Sequence, residues 1–340
     1  MKFRYAYLVT ILILLPSMLL TGKGEEDNYS VYCAVLFSAP DEASMLGYAH
    51  PARSVGLFRR EIDGSWHNVH HPNLFSYGLG YSHHNDTFRL YIAGGNGLHR
   101  SSDDGKSWKV LTGWTTEDIL SVAPHPYDST IVYVSTPFGV FKTSDDGQTW
   151  REKMEGMERW FVQKVVIDID SAETVYAAAE DDLYKTNNGG ITWEALGVGV
   201  PQILEIVQHP QNNDILLAGT EDHGVYFSHD GGETFMPGNG FPETAAYAIG
   251  FSGDGTRVYA GGYETGLWKS TDNGETWKLI WDDDSFDAIY AITVNPYDQK
   301  HIIVGTNGAG LYESTDGGVT WQHAGLYGAH VQQIKFVPGS

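Results

Sequence analysis

The sequence has little of several things that folded chains commonly use. One cysteine, Cys33, stands in 340 residues, so no disulfide can form within the chain. Lysine and arginine together number 21 against 43 aspartates and glutamates, a formal net charge of -22. So acidic a chain is poorly suited to nucleic acid, where affinity comes from basic side chains meeting phosphates. It is equally unsuited to anionic membrane surfaces. After the first two dozen residues no stretch is long and apolar enough to span a bilayer, which takes about 20 residues. No apolar period of 3.6 residues runs on beyond two helical turns. What the chain has in plenty is glycine, 40 residues, and aromatic rings, 13% of the total. Rings and aliphatics at this level can build a core, which excludes a disordered chain.

Lys2 and Arg4 precede an apolar run over residues 5–20, interrupted only by Thr10, Pro16 and Ser17. A basic start, a short apolar stretch and then small residues is the layout of a secretory signal. Gly22 and Gly24 would occupy the small-residue positions of a cut before Glu25. The expectation is a signal over residues 1–24 and a mature chain over 25–340, secreted or periplasmic and not inserted in a membrane. An uncleaved N-terminal anchor is the competing reading. Cys33 does not end the apolar run, so a lipoprotein is excluded, and the thiol is expected to be free and buried.

One pattern organises the rest. Ser101, Asp103, Gly105, Ser107 and Trp108 spell S-x-D-x-G-x-[ST]-W. The box returns around Asp145, Asn188, Asp230, Asp272 and Asp316, and a shortened copy lies upstream at Asp63, Gly64, Ser65 and Trp66. The closing aromatics fall at 66, 108, 150, 193, 235, 277 and 321, intervals of 42 to 44 residues. Between boxes come apolar runs of four to eight residues separated by turn signals, as strands require. One unit reads 119–126, 130–135, 139–143 and 149–152. Repeats of this length, with four short strands each, predict an all-β, single seven-bladed β-propeller of four-stranded antiparallel blades. The box falls between the third and fourth strands, where a tight hairpin is needed. Glycine supplies the positive φ, Asp and Ser/Thr oxygens accept freed backbone N–H groups, and Trp packs between blades. Asn188 keeps the acceptor oxygen without the charge, which favours hydrogen bonding over metal ligation.

These boxes resemble those of the Asp-box, or BNR-repeat, propellers. That group includes sialidases, xyloglucan-active glycosidases, sortilin-type receptor domains and the photosystem II assembly factor. The resemblance covers nearly all of the mature chain and implies the fold; it does not choose among those functions. Sialidases use three arginines and a Phe-Arg-Ile-Pro signature that is absent here. The xyloglucan-active enzymes pair two propellers around a cleft, and this chain is long enough for one. The arginine-rich patch of the photosystem factor has no counterpart in so acidic a chain. Ring closure is left open: residues 331–338 read as the first strand of an eighth unit, while 32–37 read as the first strand of the first unit. The terminal segments are expected to share one blade.

In a propeller the fourth-to-first and second-to-third loops share one axial face. Here that face would carry the acids Glu117, Glu158, Glu243 and Asp283, the candidates for catalysis. Trp114, Arg159, Trp160, His223, Glu264, Trp281 and Asp282 are the candidates for binding. Acids mixed with rings suit a sugar, because carboxylates accept hydroxyl protons and rings stack on pyranose faces. A glycosidase would need two carboxyl groups about 5 to 9.5 Å apart, one holding its proton. The favoured reading is a non-catalytic, monomeric propeller that binds a protein or carbohydrate ligand on the axial face. The alternative is a glycoside hydrolase or polysaccharide lyase on the same face. No cofactor motif is present, and Asp282, Asp283 and Asp284 lack a defined Ca²⁺ loop pattern.

Overall fold

The computed structural model describes residues 29–38, 55–70, 74–84, 87–113, 118–158 and 160–338. These residues form seven antiparallel sheets of four strands each, with no helix among them. The sheets are the blades of a seven-bladed propeller. The segment expected to be a secretory signal lies outside the described residues, and no described helix is long and apolar enough to cross a membrane.

Within blades 2 to 7 the four strands follow in chain order from the axis outward. The inner strands are Ser76–His84, Ser121–Pro124, Val162–Ile167, Ile203–His209, Ala246–Phe251 and Ile289–Val294. The second strands are sandwiched by neighbouring blades on both faces, so they read as unbroken apolar runs rather than alternating ones. Val132–Thr136, Val175–Ala179, Val258–Gly262 and Ile302–Thr306 are buried at every residue. Outer strands such as Lys109–Val110 and Arg151–Glu152 are two residues long and exposed, which leaves little edge for another chain to pair with.

The first blade is shared by the two terminal segments, as expected, and its strand order settles which of them lies inside. Its strand order is Ala329–Pro338, Tyr29–Ser38, Gly56–Arg60, Trp66–Asn68. The C-terminal segment therefore takes the axial place, and the N-terminal segment, expected to be a first strand, is the second. Among the described residues there is no eighth unit. Burial gives the reason. Cys33 and its neighbours Tyr32 and Ala34 are fully buried, as a second strand must be, whereas Gln332, Gln333 and Lys335 of the last strand suit a polar axis. The two segments pair over nearly their whole length, Cys33 opposite Ile334 and Val31 opposite Phe336. Gly305 of blade 7 lets the closing strand approach: a Cβ there would lie 2.3 Å from Val331 Cγ1.

The boxes do what their residue types predict. Asp103 Oδ1 accepts the Ser101 hydroxyl at 2.8 Å and the Ser107 N–H at 2.8 Å, while Oδ2 accepts the Ser107 hydroxyl at 2.6 Å. The same contacts recur at Asp145, Asp230, Asp272 and Asp316, and Asn188 reproduces them with its amide donating to Thr192 at 2.9 Å. The box tryptophans then staple blades together. Trp108, Trp150 and Trp193 donate their indole N–H to Val69, Leu111 and Lys153 carbonyls of the preceding blade. His125 and His209, read as strand-ending turns, accept the N–H of Tyr127 and Gln211 respectively at 3.1 Å.

Candidate functional site

The inner strands do more than line the axis. Five of them skip one residue in pairing with their second strand, at Tyr77, Gln163, Leu204, Tyr247 and Tyr290. Gln332 is skipped in the same way in the closing strand. Such a bulge breaks the two-residue alternation and re-aims side chains. Here it brings the skipped residue and the next one both to the channel wall. The result is a cavity of about 760 Å³ running between all seven inner strands. That volume lies within the range of small-molecule sites.

Tyr77, Tyr247 and Tyr290 mark the end of this channel nearest the fourth-to-first loops. Tyr247 and Tyr290 stack face to face, ring centres 4.5 Å apart. Burial and the neighbouring Tyr247 push the Tyr290 phenol up to about 12. One residue deeper, Lys164 forms an ion pair with Glu205 of the next blade. Glu205 also accepts the N–H of Ile206 at 3.0 Å. Burial pushes the Glu205 carboxyl above its ordinary value, with the Lys164 ammonium opposing that shift. Lys335, two residues along the closing strand from Gln333, lines the same channel. Burial first, and repulsion from Lys164 second, bring its ammonium down to about 8.

Those residues predicted from sequence that are described fall on the loops and strand ends of the mouth face instead. Glu117 and Trp114 lie outside the described residues, as does Arg159. Glu158 and Glu243 are exposed on the loops entering blades 4 and 6, and Asp283 is half-buried on the loop entering blade 7. The three acids thus stand on three different loops. Asp282 accepts the Asp283 N–H and Asp283 the Ser285 N–H, so both carboxylates shape their own turn. His223 and Glu264 are exposed at second-to-third hairpins. Trp281 ends an outer strand, half-buried and stacked on Trp321 at 4.5 Å, with Phe286 and Tyr312 against it. Trp160 is the candidate ring that is open to solvent, at 64% exposure.

The profile of the DUF6242 beta propeller domain matches residues 132–330, more than half of the chain. The chain belongs to the DUF6242 beta propeller family. An oligoxyloglucan-reducing end-specific xyloglucanase of Emericella nidulans is 34% identical over 90 residues, which is 22% of this DUF6242 propeller and 11% of the enzyme. The propeller therefore spans a small part of that relative's length. Among solved structures, the GH74 enzyme of Niastella koreensis aligns with a TM-score of 0.62 at 18% identity, over 78% of this chain and 51% of the other. YCF48 bound to D1 peptide aligns with a TM-score of 0.59 at 17% identity, over 78% of this chain and 93% of the other. At these identities the structural likeness shows the fold alone.

Sequence reasoning did not single out Lys164, Glu205, Gln333 or Lys335 in this DUF6242 propeller. A signal was there for Lys164 and Glu205: each is a charged residue inside a largely apolar first-strand run, as in residues 162–167. At the waist of the channel the Glu205 carboxylate faces the Lys164 ammonium.

Proposed function

We propose that this chain is a secreted or periplasmic, non-catalytic propeller that binds a protein or glycan on the face where its fourth-to-first and second-to-third loops meet. The observation that carries this reading is the distribution of exposed rings. Phe75, Phe138, Trp160, Phe161 and Tyr263 are all more than 40% exposed, and all five lie in loops of that face. On the opposite face the large exposed aromatics among the described residues are Tyr127 and Tyr297. Rings left in water around a channel mouth offer apolar area and stacking surfaces to a ligand. The acids Glu158, Glu221, Glu243, Glu264 and Asp282 stand among them as hydrogen-bond acceptors. YCF48, of the same fold, has been seen with a bound peptide, and the xyloglucanase relative acts on a glycan.

A screen of the purified chain against polysaccharides and its secreted proteome tests the reading, recording both melting shift and reducing-end release. A ligand that raises the melting temperature without release, and loses its effect in Trp160→Ala, supports a binding propeller. Release that disappears in Glu158→Ala, Glu243→Ala or Asp283→Ala would replace it with the glycosidase.

A further inference from the structure

The axial channel holds one lysine that has no ion-pair partner among the described residues, inside a strongly acidic protein. Lys164 is committed to Glu205. Lys335 lines both the main channel and an adjoining lobe of about 360 Å³. Among the described residues, no side chain or carbonyl hydrogen-bonds or ion-pairs its ammonium; Lys164 repels it and Glu205 attracts it from a distance. Two other carboxylates line these cavities. Glu221 stands at the mouth in an exposed hairpin, and Asp168 uses its oxygens on the Asp170 and Ser171 N–H groups and the Gln208 amide. Neither is among the charges that act on Lys335. An ammonium among apolar walls such as Val207, Ile292 and Ile334 is costly unless something pairs with it.

The amides around it are half-used. Gln333 Oε1 accepts the Leu79 N–H at 2.5 Å, and Gln332 Oε1 lies 3.1 Å from His330 Nε2, which leaves both –NH₂ groups to donate. Gln163 and Ser121 add further polar groups to the same wall, and the three tyrosines lie on the mouth side. We propose that the channel binds an acidic sugar, a uronate, with its carboxylate on Lys335 and its ring hydroxyls on the amides of Gln163, Gln332 and Gln333. One unpaired ammonium, with Glu205 close enough to act on it, calls for a monoanion; a dianionic phosphate would add excess negative charge beside that carboxylate. Several amides and tyrosines around a single cation match a ring of hydroxyls better than a peptide end, which offers one carboxylate and a backbone. This inference uses none of the exposed loop rings and stands apart from the loop-face reading.

Calorimetry and melting shifts of the purified chain with D-glucuronate and D-galacturonate test it, against glucose, galactose, acetate, inorganic phosphate and N-acetylglycylglycine. One uronate is expected to bind at least tenfold more tightly than its neutral counterpart. Lys335→Met should weaken that binding about tenfold or more, the scale of one charge-assisted hydrogen bond. Lys335→Arg should keep most of it, and Tyr127→Ala, on the opposite face, should leave it unchanged. A Lys335→Met melting curve as cooperative as the parent's establishes that the fold survives; if it does not, Lys335→Gln takes its place. Equal binding of uronate and neutral sugar, or undiminished binding by the folded variant, overturns the proposal. Acetate or phosphate binding as tightly as the uronate, or the acetylated dipeptide binding more tightly, also overturns it.

Discussion

Trp66 donates its indole N–H to the carbonyl of Ala324, 2.8 Å away, across the seam where blade 7 meets blade 1. The shortened first box keeps this residue, and its indole bridges the last blade to the first beside the paired terminal strands. Trp321 offers the contrast: its indole nitrogen is buried without a hydrogen-bond partner among the described residues. Trp66→Phe is expected to lower stability by about 1 kcal/mol, the net worth of one hydrogen bond. Trp321→Phe should be neutral or slightly stabilising, since it removes an unsatisfied donor. Urea unfolding of both variants checks this. An unchanged midpoint for Trp66→Phe would mean that the indole contact does not hold the seam.

The boxes make the fold sensitive to acid in a definite window. Hydroxyl donors first, and backbone N–H groups second, hold the carboxyls of Asp103, Asp145, Asp230 and Asp316 down to about 2. An unfolded aspartate titrates near 3.9. Because the folded value is the lower one, the stabilisation is complete above pH 4 and is lost progressively as pH falls from about 4 to 2. Melting temperature should be flat through mildly acidic pH and drop within that window. Asn188→Asp should add to the drop, since its box then gains a titrating group. A melting temperature that fell mainly between pH 6 and 5 would assign acid lability to other groups.

Lys164 and Glu205 are partners on neighbouring inner strands, both mostly buried. Glu205→Leu leaves Lys164 beside Lys335 with no counter-charge and should cost about 3 kcal/mol. Lys164→Met strands Glu205 in the same way. The double variant should recover most of either loss, because removing both charges also removes their desolvation cost. A double-mutant cycle by chemical denaturation measures the coupling. Additive losses would show that the two side chains act independently.

The blade count, the four-strand unit and the box hairpins could be read from the residues. Each box closes its hydrogen bonds within eight positions, so residue types at fixed spacing specify it locally; Asp230 needs only Ser228 and Thr234. The rings of the loop face were legible only in part. Trp160 is exposed, whereas Trp281, at the end of an outer strand, is stacked against Trp321. Exposure of a large ring depends on which neighbour reaches it first, and that neighbour comes from another blade.

Two decisions belonged to the tertiary structure. The first was the order of strands in the closing blade. Residues 29–38 and 329–338 each read as a strand, and only packing assigns the fully buried one to the second place and the one with Gln332, Gln333 and Lys335 to the axis. The second was the channel. Lys164, Glu205 and Lys335 sit in three separate strands, and a 42-residue period carries no information about which charges will meet. Seven inner strands converge on one axis, and electrostatic coupling depends on distance in space. The sequence by itself determined a ring of seven blades; closing that ring determined what its centre can hold.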